Sequence, residues 1–263
     1  MATPAGPVTL DLVLALYREH ASTLGGVRAA QQVLYDQRSD ARLERFFAYR
    51  WAAAGLRNLG LPAHYKRRLR PKFDDIEAEI TYLLVRAARP AAVLEVAPYY
   101  GWSTTWLLRA LRDNGTGVLH SYDLVDYSRW TVPQDLADGR WQFTHGDFRD
   151  HVHGLPAGIG YLFLDAAHTA AFARWYLDGL FPRLQAGTLV GVHDIFRPRD
   201  LEPMPESAVL IEWLEHRGVP YFSAAPARSA ENYEQIMAVK REFGLAQPIH
   251  SSTKNPMVFF RLP

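Results

Sequence analysis

The apolar positions along this chain change their period near Pro90. Before it they recur at helical spacing. Leu10, Leu12, Val13, Leu14, Leu16 and Tyr17 predict one compact helix that breaks near Gly25-Gly26. Val33, Leu34 and Tyr35, then Leu43, Phe46, Phe47, Trp51 and Leu56, carry the pattern to Gly60 and Pro62. A further helix runs from Ile76 through Ile80, Leu83, Leu84 and Ala87. Beyond Pro90, short apolar runs alternate with helical stretches. Strands are predicted over 92–95, 117–123, 141–145, 159–165 and 188–194, with helices over 103–112 and through Phe172, Trp175, Tyr176, Leu177 and Leu180. Helix 206–217, a strand-like 219–222, helix 231–243 and a last strand at 257–261 complete the chain. Near-continuous apolar strands separated by helices predict an α/β fold: a doubly wound, mostly parallel sheet covered on both faces. Residues 1–75 read as an N-terminal helical cap, and 76–263 as the sheet domain.

Composition narrows this picture without redirecting it. At 263 residues there is room for one large domain, or a core with a small lid. A hydrophobic content of 48% with 22% charged residues is ordinary for a globular protein. The net charge of +1 gives no electrostatic reason to expect nucleic acid or a membrane surface as partner. The one basic run, His64 to Lys72, reads as a solvated connector, because Asp74, Asp75, Glu77 and Glu79 follow at once. With no cysteine there are no disulfides, thiolate metal sites or thiol nucleophiles, which fits a cytoplasmic protein. Met1 to Pro7 lacks the layout of a signal peptide. No apolar run approaches the roughly 20 residues that cross a bilayer. Pro198 to Pro205 is a Pro-rich loop, read as a mobile segment beside the site.

The chemistry gathers at the ends of the strands. Glu95-Val-Ala-Pro-Tyr-Tyr-Gly-Trp-Ser-Thr-Thr105 follows the first apolar run and opens onto a helix. A carboxylate, a tight turn with glycine and a helix N-terminus make a small-molecule site: the helix offers unpaired N–H groups and the glycine lets backbone approach a ligand. The turn lacks G-x-G-x-x-G, holding Ala97, Pro98 and Tyr99 at the glycine positions, which disfavours a nicotinamide cofactor. Asp123 closes the second strand, where a carboxylate pairs with a ribose diol in nucleotide-binding sheets. His145-Gly146-Asp147, Asp165 with His168, and His193-Asp194 end the strands that follow. An aspartate after a strand is commonly just a helix N-cap, but five polar strand ends in succession favour a ligand. Tyr99, Tyr100, Trp102, Tyr127, Trp130 and Trp141 cluster at these ends and suit a ring-bearing substrate, besides their ordinary packing role.

Four segments carry a resemblance: Leu94-Glu95-Val96-Ala97 with Gly101-Trp102-Ser103-Thr104; Tyr122-Asp123; Gly146-Asp147; and Phe163-Leu164-Asp165-Ala166-Ala167-His168 with Val192-His193-Asp194. From about Ile76 to Phe196 the sequence resembles the class I S-adenosylmethionine-dependent methyltransferases. Within them it is similar to the small-molecule branch of macrolide, sugar and antibiotic O-methyltransferases and cephalosporin-hydroxylase-like proteins. The resemblance implies a Rossmann-like sheet and S-adenosylmethionine as cofactor. It implies Glu95, Ala97 and Gly101 at the methionine end with Ser103 at the helix start, Asp123 on the ribose, Asp147 and Phe148 flanking the adenine, and Asp165 at the rim. The family usually has glycine where Ala97 stands. Metal-dependent members bind Mg²⁺ through acidic residues at matching positions, which implies Asp165, His193 and Asp194 as metal ligands here. His193 stands where an acidic residue is usual, which leaves room for a softer ion. Alternatively, His168 or His193, oriented by Asp165 or Asp194, takes a proton from a hydroxyl without any metal.

The activity this implies is methyl transfer to a small, hydroxylated secondary metabolite, most readily at oxygen, by a homo-oligomer acting on neither nucleic acid nor membrane. A protein that binds the cofactor and assists another biosynthetic enzyme is the alternative, supported by Ala97. Methylation of RNA through Lys66 to Lys72 is a third reading, opposed by the neutral charge.

Overall fold

The computed structural model describes residues 6–39, 68–197, 204–250 and 254–263. The predicted helical spacing at Leu43 to Leu56, the first part of the basic run and most of the Pro198–Pro205 loop lie outside the described residues.

The elements are α1 (Leu10–Arg38), α2 (Asp75–Ala88), β1 (Ala92–Val96), α3 (Trp102–Asn114), β2 (Val118–Asp123), β3 (Trp141–His145), β4 (Ile159–Leu164), α4 (Ala170–Trp175), β5 (Leu189–Val192), α5 (Pro205–His216), β6 (Tyr221–Phe222), α6 (Pro226–Glu242) and β7 (Val258–Arg261). They build a seven-stranded sheet of order β3-β2-β1-β4-β5-β7-β6. The first five strands in the chain pair in parallel, and β7 runs antiparallel to both β5 and β6.

Side chains alternate between faces along each strand, and two cores follow. Val93, Tyr161, Phe163, Leu189 and Phe259 face a layer containing α1, α2, α3 and α6. Leu94, Val96, Leu162, Leu164, Val190, Val192, Val258 and Phe260 face α4 and α5. Both faces being covered explains why the strands read as continuous apolar runs. Among the described residues no helix is long and apolar enough to cross a membrane.

One expectation is corrected. The helix predicted to break at Gly25-Gly26 continues unbroken to Arg38. Each mid-helix glycine costs about 1 kcal/mol relative to alanine, but Tyr17, Leu24, Val27, Gln31 and Leu34 are buried along one face, and this packing outweighs it. A lone Cβ at Gly25 would only touch Leu245, at 3.6 Å. The acidic run from Asp74 to Glu79, which the sequence reading used only as the neighbour of the basic run, is buried. Every residue of α2 from Asp75 to Val85 is buried. Its carboxylates accept from distant backbone: Asp74 from the Asn255 N–H, Asp75 from Ile249 N–H and Glu77 from Met257 N–H, so the run holds the segment leading into β7. Glu79 accepts from Tyr17 Oη at 2.7 Å, from Lys240 Nζ at 2.7 and 2.8 Å, and from Arg28, with all four side chains buried.

Candidate functional site

The parallel ladder runs one residue past the strand ends. Ala97 N–H donates to Tyr122 O at 2.8 Å, Gly146 N–H to Asp123 O at 2.8 Å, Asp165 N–H to Val96 O at 3.2 Å and His193 N–H to Leu164 O at 2.9 Å. These bonds set the sequence-predicted site residues side by side along one edge of the sheet, where open α/β sheets bind ligands.

Glu95 shares its face with Val93, so its carboxylate turns toward α3 and β2. It is fully buried and accepts from Ser103 Oγ at 2.7 Å, Thr104 Oγ1 at 2.9 and 3.1 Å and Ser121 Oγ at 2.6 Å. Glu95 therefore locks the turn to its helix from beneath. Burial pushes its carboxyl up to about 7, the three hydroxyls partly opposing the rise. A carboxyl raised above its unfolded value adds stability below about pH 4.5, lost as pH rises through about 7. Glu95→Gln, whose amide the rotatable hydroxyls accommodate, is expected to gain up to about 3 kcal/mol over the native chain at pH 8 and close to nothing at pH 4.5. Urea melts of both proteins at the two pH values measure this.

The turn is strained. Ala97 has φ 64° and Tyr99 φ 50°, while Gly101, at φ 77°, is the N-cap of α3. Left-handed backbone costs an L-residue roughly 1–2 kcal/mol that glycine avoids, so Ala97 holds the glycine-like conformation at a cost. Ala97→Gly is expected to raise stability by about 0.5–1 kcal/mol without loosening ligand binding at the turn; thermal melts and calorimetric titration check both. A Cβ at Gly101 would lie 2.7 Å from Val132 Cγ2 and 3.1 Å from Thr131 Oγ1. Being glycine, Gly101 gives α3 no side-chain cap, and the first turn of α3 has no acidic residue. Its N–H groups and dipole are thus left for an anionic group.

Asp123 is buried and braces this turn from β2, accepting from Tyr99 N–H at 2.7 Å and Val125 N–H at 3.0 Å. Burial raises its carboxyl, against the pull of these N–H groups. Asp147 caps the short turn Phe148–Asp150 by accepting from Arg149 N–H at 2.9 Å, and pairs with the Arg149 guanidinium. That pairing holds its carboxyl below the usual range. Phe148 is buried beneath Tyr122, with ring centroids 4.9 Å apart. Of the aromatic group, Tyr99, Tyr100 and Tyr127 stack together, Trp102 is buried and Trp130 is exposed.

The ends of β4 and β5 bring four titratable groups together. Ligand atoms of Asp165, His168 and Asp194 all lie within 4.8 Å of one another. His168 Nε2 is 3.7 Å from Asp165 and 3.5 Å from Asp194, and its Nδ1 is 2.9 Å from Glu206. His193 Nδ1 is 3.2 Å from Asp165 and 3.8 Å from Asp194, while its Nε2 is 2.8 Å from Glu77. Burial lowers both imidazoles, but the carboxylates around them prevail and hold both above their ordinary value. Burial pushes Asp165 up, and His193, His168 and Lys72 more than offset it. Asp194 sits at φ 58°, a conformation aspartate tolerates better than most residues.

Sequence reasoning missed Glu77 and Glu206, the buried partners of the two histidines. The spacing Asp74-x-x-Glu77 was the available signal: Asp74 N–H donates to Glu77 Oε1 at 2.8 Å, half of a capping box at the start of α2. Glu206, in the first turn of α5 after Pro205, carried no such sign.

A parallel sheet whose last strand inserts reversed between β5 and β6, with its polar strand ends gathered along one edge, is the class I methyltransferase arrangement. Residues 94–195 match a protein-family model described as a methyltransferase domain. Solved structures with a similar fold include the O-methyltransferase TomG of Streptomyces achromogenes, involved in tomaymycin synthesis and in complex with S-adenosylmethionine; it shares 13% identity over 90% of this chain and 89% of that one, at a TM-score of 0.48. An O-methyltransferase from Bacillus cereus in complex with S-adenosylhomocysteine shares 15% over 91% and 100%, at 0.45. A Podospora anserina methyltransferase with S-adenosylhomocysteine bound shares 14% over 82% and 94%, at 0.48. No curated protein matches the sequence.

Proposed function

We propose that this chain transfers the methyl group of S-adenosylmethionine to a hydroxyl of a small, hydroxylated secondary metabolite. The observation that carries the reading is the placement of the Asp165, His168 and Asp194 cluster one strand away from the strained turn at Ala97, along a single sheet edge. The uncapped N-terminus of α3 suits the methionine carboxylate of the cofactor, and Asp123, already tied to the turn, is placed for the ribose hydroxyls. Asp147 and Phe148 lie at the adenine end. When bound, the cofactor supplies an activated methyl group on a positively charged sulfur.

Little covalent work is then left to the protein, and holding donor and acceptor in line provides much of the acceleration. The rim cluster receives the acceptor hydroxyl and draws off its proton. Ala97 already occupies the glycine-like conformation the turn requires, which favours a competent enzyme over a cofactor-binding partner without methyl transfer. The net charge of +1 favours a small substrate over nucleic acid. Calorimetric titration with S-adenosylmethionine, joined to a mass-shift assay on polyhydroxylated acceptors, tests the reading. No affinity for the cofactor overturns it.

We assign residues 1–75 the role of covering the substrate. Arg38 at the end of α1 donates to Thr131 O at 2.7 Å, and Leu69 N–H donates to Arg38 O at 3.0 Å. The chain thus leaves and re-enters beside Tyr100, whose ring lies 4.5 Å from the Arg70 guanidinium.

A further inference from the structure

Two elements hold the first turn of α3. From β1, Glu95 takes the hydroxyls of Ser103 and Thr104. The second hold comes from α1, which lies outside the stretch 94–195. Gln31 Nε2 donates to Thr105 Oγ1 at 2.9 Å, and Thr105 Oγ1 donates to Trp102 O at 2.7 Å. Gln31 Oε1 accepts from Arg109 Nε at 2.9 Å, and Arg109 Nη2 donates to Ala30 O at 3.3 Å. At the far end of α1, Arg38 donates to Thr131 O at 2.7 Å, and Thr131 Oγ1 donates to Tyr100 O at 2.7 Å. Helix α1 is thus tied to the carbonyls of both neighbours of Gly101.

Gln31 and Thr105 are fully buried, and Arg109 is 8% exposed. An amide in such a place carries a desolvation penalty that leucine would avoid. It is tolerated because one end donates and the other accepts, and what it adds is register. Tyr17, Leu24, Val27 and Leu34 hold α1 down by apolar contact, which leaves its alignment along α3 loosely defined. A buried polar group paired at both ends admits one alignment. The N–H groups at a helix start bind an anion only while they converge on it. Fixing Thr105 and the Trp102 carbonyl fixes that convergence.

We propose that Gln31, acting through Thr105, is a positioning residue for the cofactor: it aims the N-terminus of α3 at the methionine carboxylate of S-adenosylmethionine. Helix α1 then belongs to the cofactor site as well as to the cover over the substrate. The inference deepens the methyltransferase reading and rests on it for the identity of the ligand. The coupling of Gln31 to α3 stands apart from that reading.

The test compares full-length Gln31→Leu with Leu24→Ala, a buried apolar position on the same helix. Two probes are titrated into each by calorimetry: S-adenosylhomocysteine, and 5′-methylthioadenosine, which keeps the nucleoside and sulfur but has no carboxylate. Gln31→Leu is expected to weaken S-adenosylhomocysteine about tenfold and to leave methylthioadenosine unchanged. Leu24→Ala should lower the melting temperature at least as far and change neither affinity. In cofactor-free protein, amide exchange at Thr105 N–H, which donates to Gly101 O at 3.0 Å, should quicken in Gln31→Leu and not in Leu24→Ala. If Gln31→Leu does not fold, Thr105→Val breaks the same link from the other helix and should give the same split between the two probes. Full affinity for S-adenosylhomocysteine in Gln31→Leu, an equal loss of both probes, or exchange at Thr105 no faster than in Leu24→Ala overturns the proposal. A native chain that binds neither probe, while Gln31→Leu still quickens exchange at Thr105, removes the methyl-transfer reading and leaves Gln31 as the residue that sets α3.

Discussion

Glu79→Ala is expected to cost about 3–5 kcal/mol, the usual penalty for breaking a buried ion pair from one side. Glu79 is fully buried and takes Arg28, Lys240 and Tyr17 together, joining α1, α2 and α6 at one point. Removing it leaves two cationic side chains facing each other with only Asp75, 3.7 Å from Arg28, as counter-charge. Lys240 is 2% exposed and Arg28 7%, so water does not replace the lost partner. The attraction itself is not what makes the change severe, because taking charges out of water offsets most of the Coulomb gain. An apolar triple replacement, Arg28→Met with Glu79→Leu and Lys240→Met, should therefore recover most of the loss. Denaturant unfolding of the two variants beside the native chain distinguishes these terms: a single variant within about 1 kcal/mol of native means the cluster is solvated in solution.

Gly101→Ala is the second large effect, at about 2–5 kcal/mol with cofactor affinity lost alongside. Two penalties add. The left-handed φ of 77° costs an L-residue roughly 1–2 kcal/mol. The new methyl also meets Val132, Thr131 and Ser128 at 2.7 to 3.2 Å, an overpacking of the kind that costs about 1–3 kcal/mol. Gly115, at the other end of α3, has φ 69° and nothing within 4 Å of where a Cβ would stand, so Gly115→Ala isolates the backbone share at about 1–2 kcal/mol. Equal losses in the two variants would show that the close contacts at Gly101 relax freely.

What the sequence revealed and what it hid divide along a physical line. The central strands β1, β4 and β5 were legible because each is mostly apolar on both faces, whereas β2 and the partly exposed edge strand β3 carry polar positions and were found by the polar residues that end them. Those polar ends also marked the candidate site. Gly25-Gly26 misled because local propensity favours a break, whereas the packing that overrides it comes from residues far along the chain. The burial of the run Asp74 to Glu79 was not legible, because four acidic residues in a row of six carry no local sign of it. Their partners, Ile249, Asn255, Met257, Lys240 and Arg28, lie tens to well over a hundred positions away. His193 and His168 could be named from their place after strands, but not their orientation, since Glu77 and Glu206 stand 116 and 38 residues away. Asp147, which the resemblance sets beside the adenine, also pairs with Arg149 two residues on, a bond that local sequence permits without announcing.

The acidic staple of α2 has a consequence for where the working unit begins and ends. The stretch that matches the methyltransferase-domain model, 94–195, contains every rim aspartate and histidine, yet neither glutamate that aims the imidazoles. Glu77 is itself pinned by Met257, 180 residues further along. During synthesis the rim therefore stays unfinished until Met257 has left the ribosome. A fragment trimmed to the family boundaries would display the right residues with their rings unaimed.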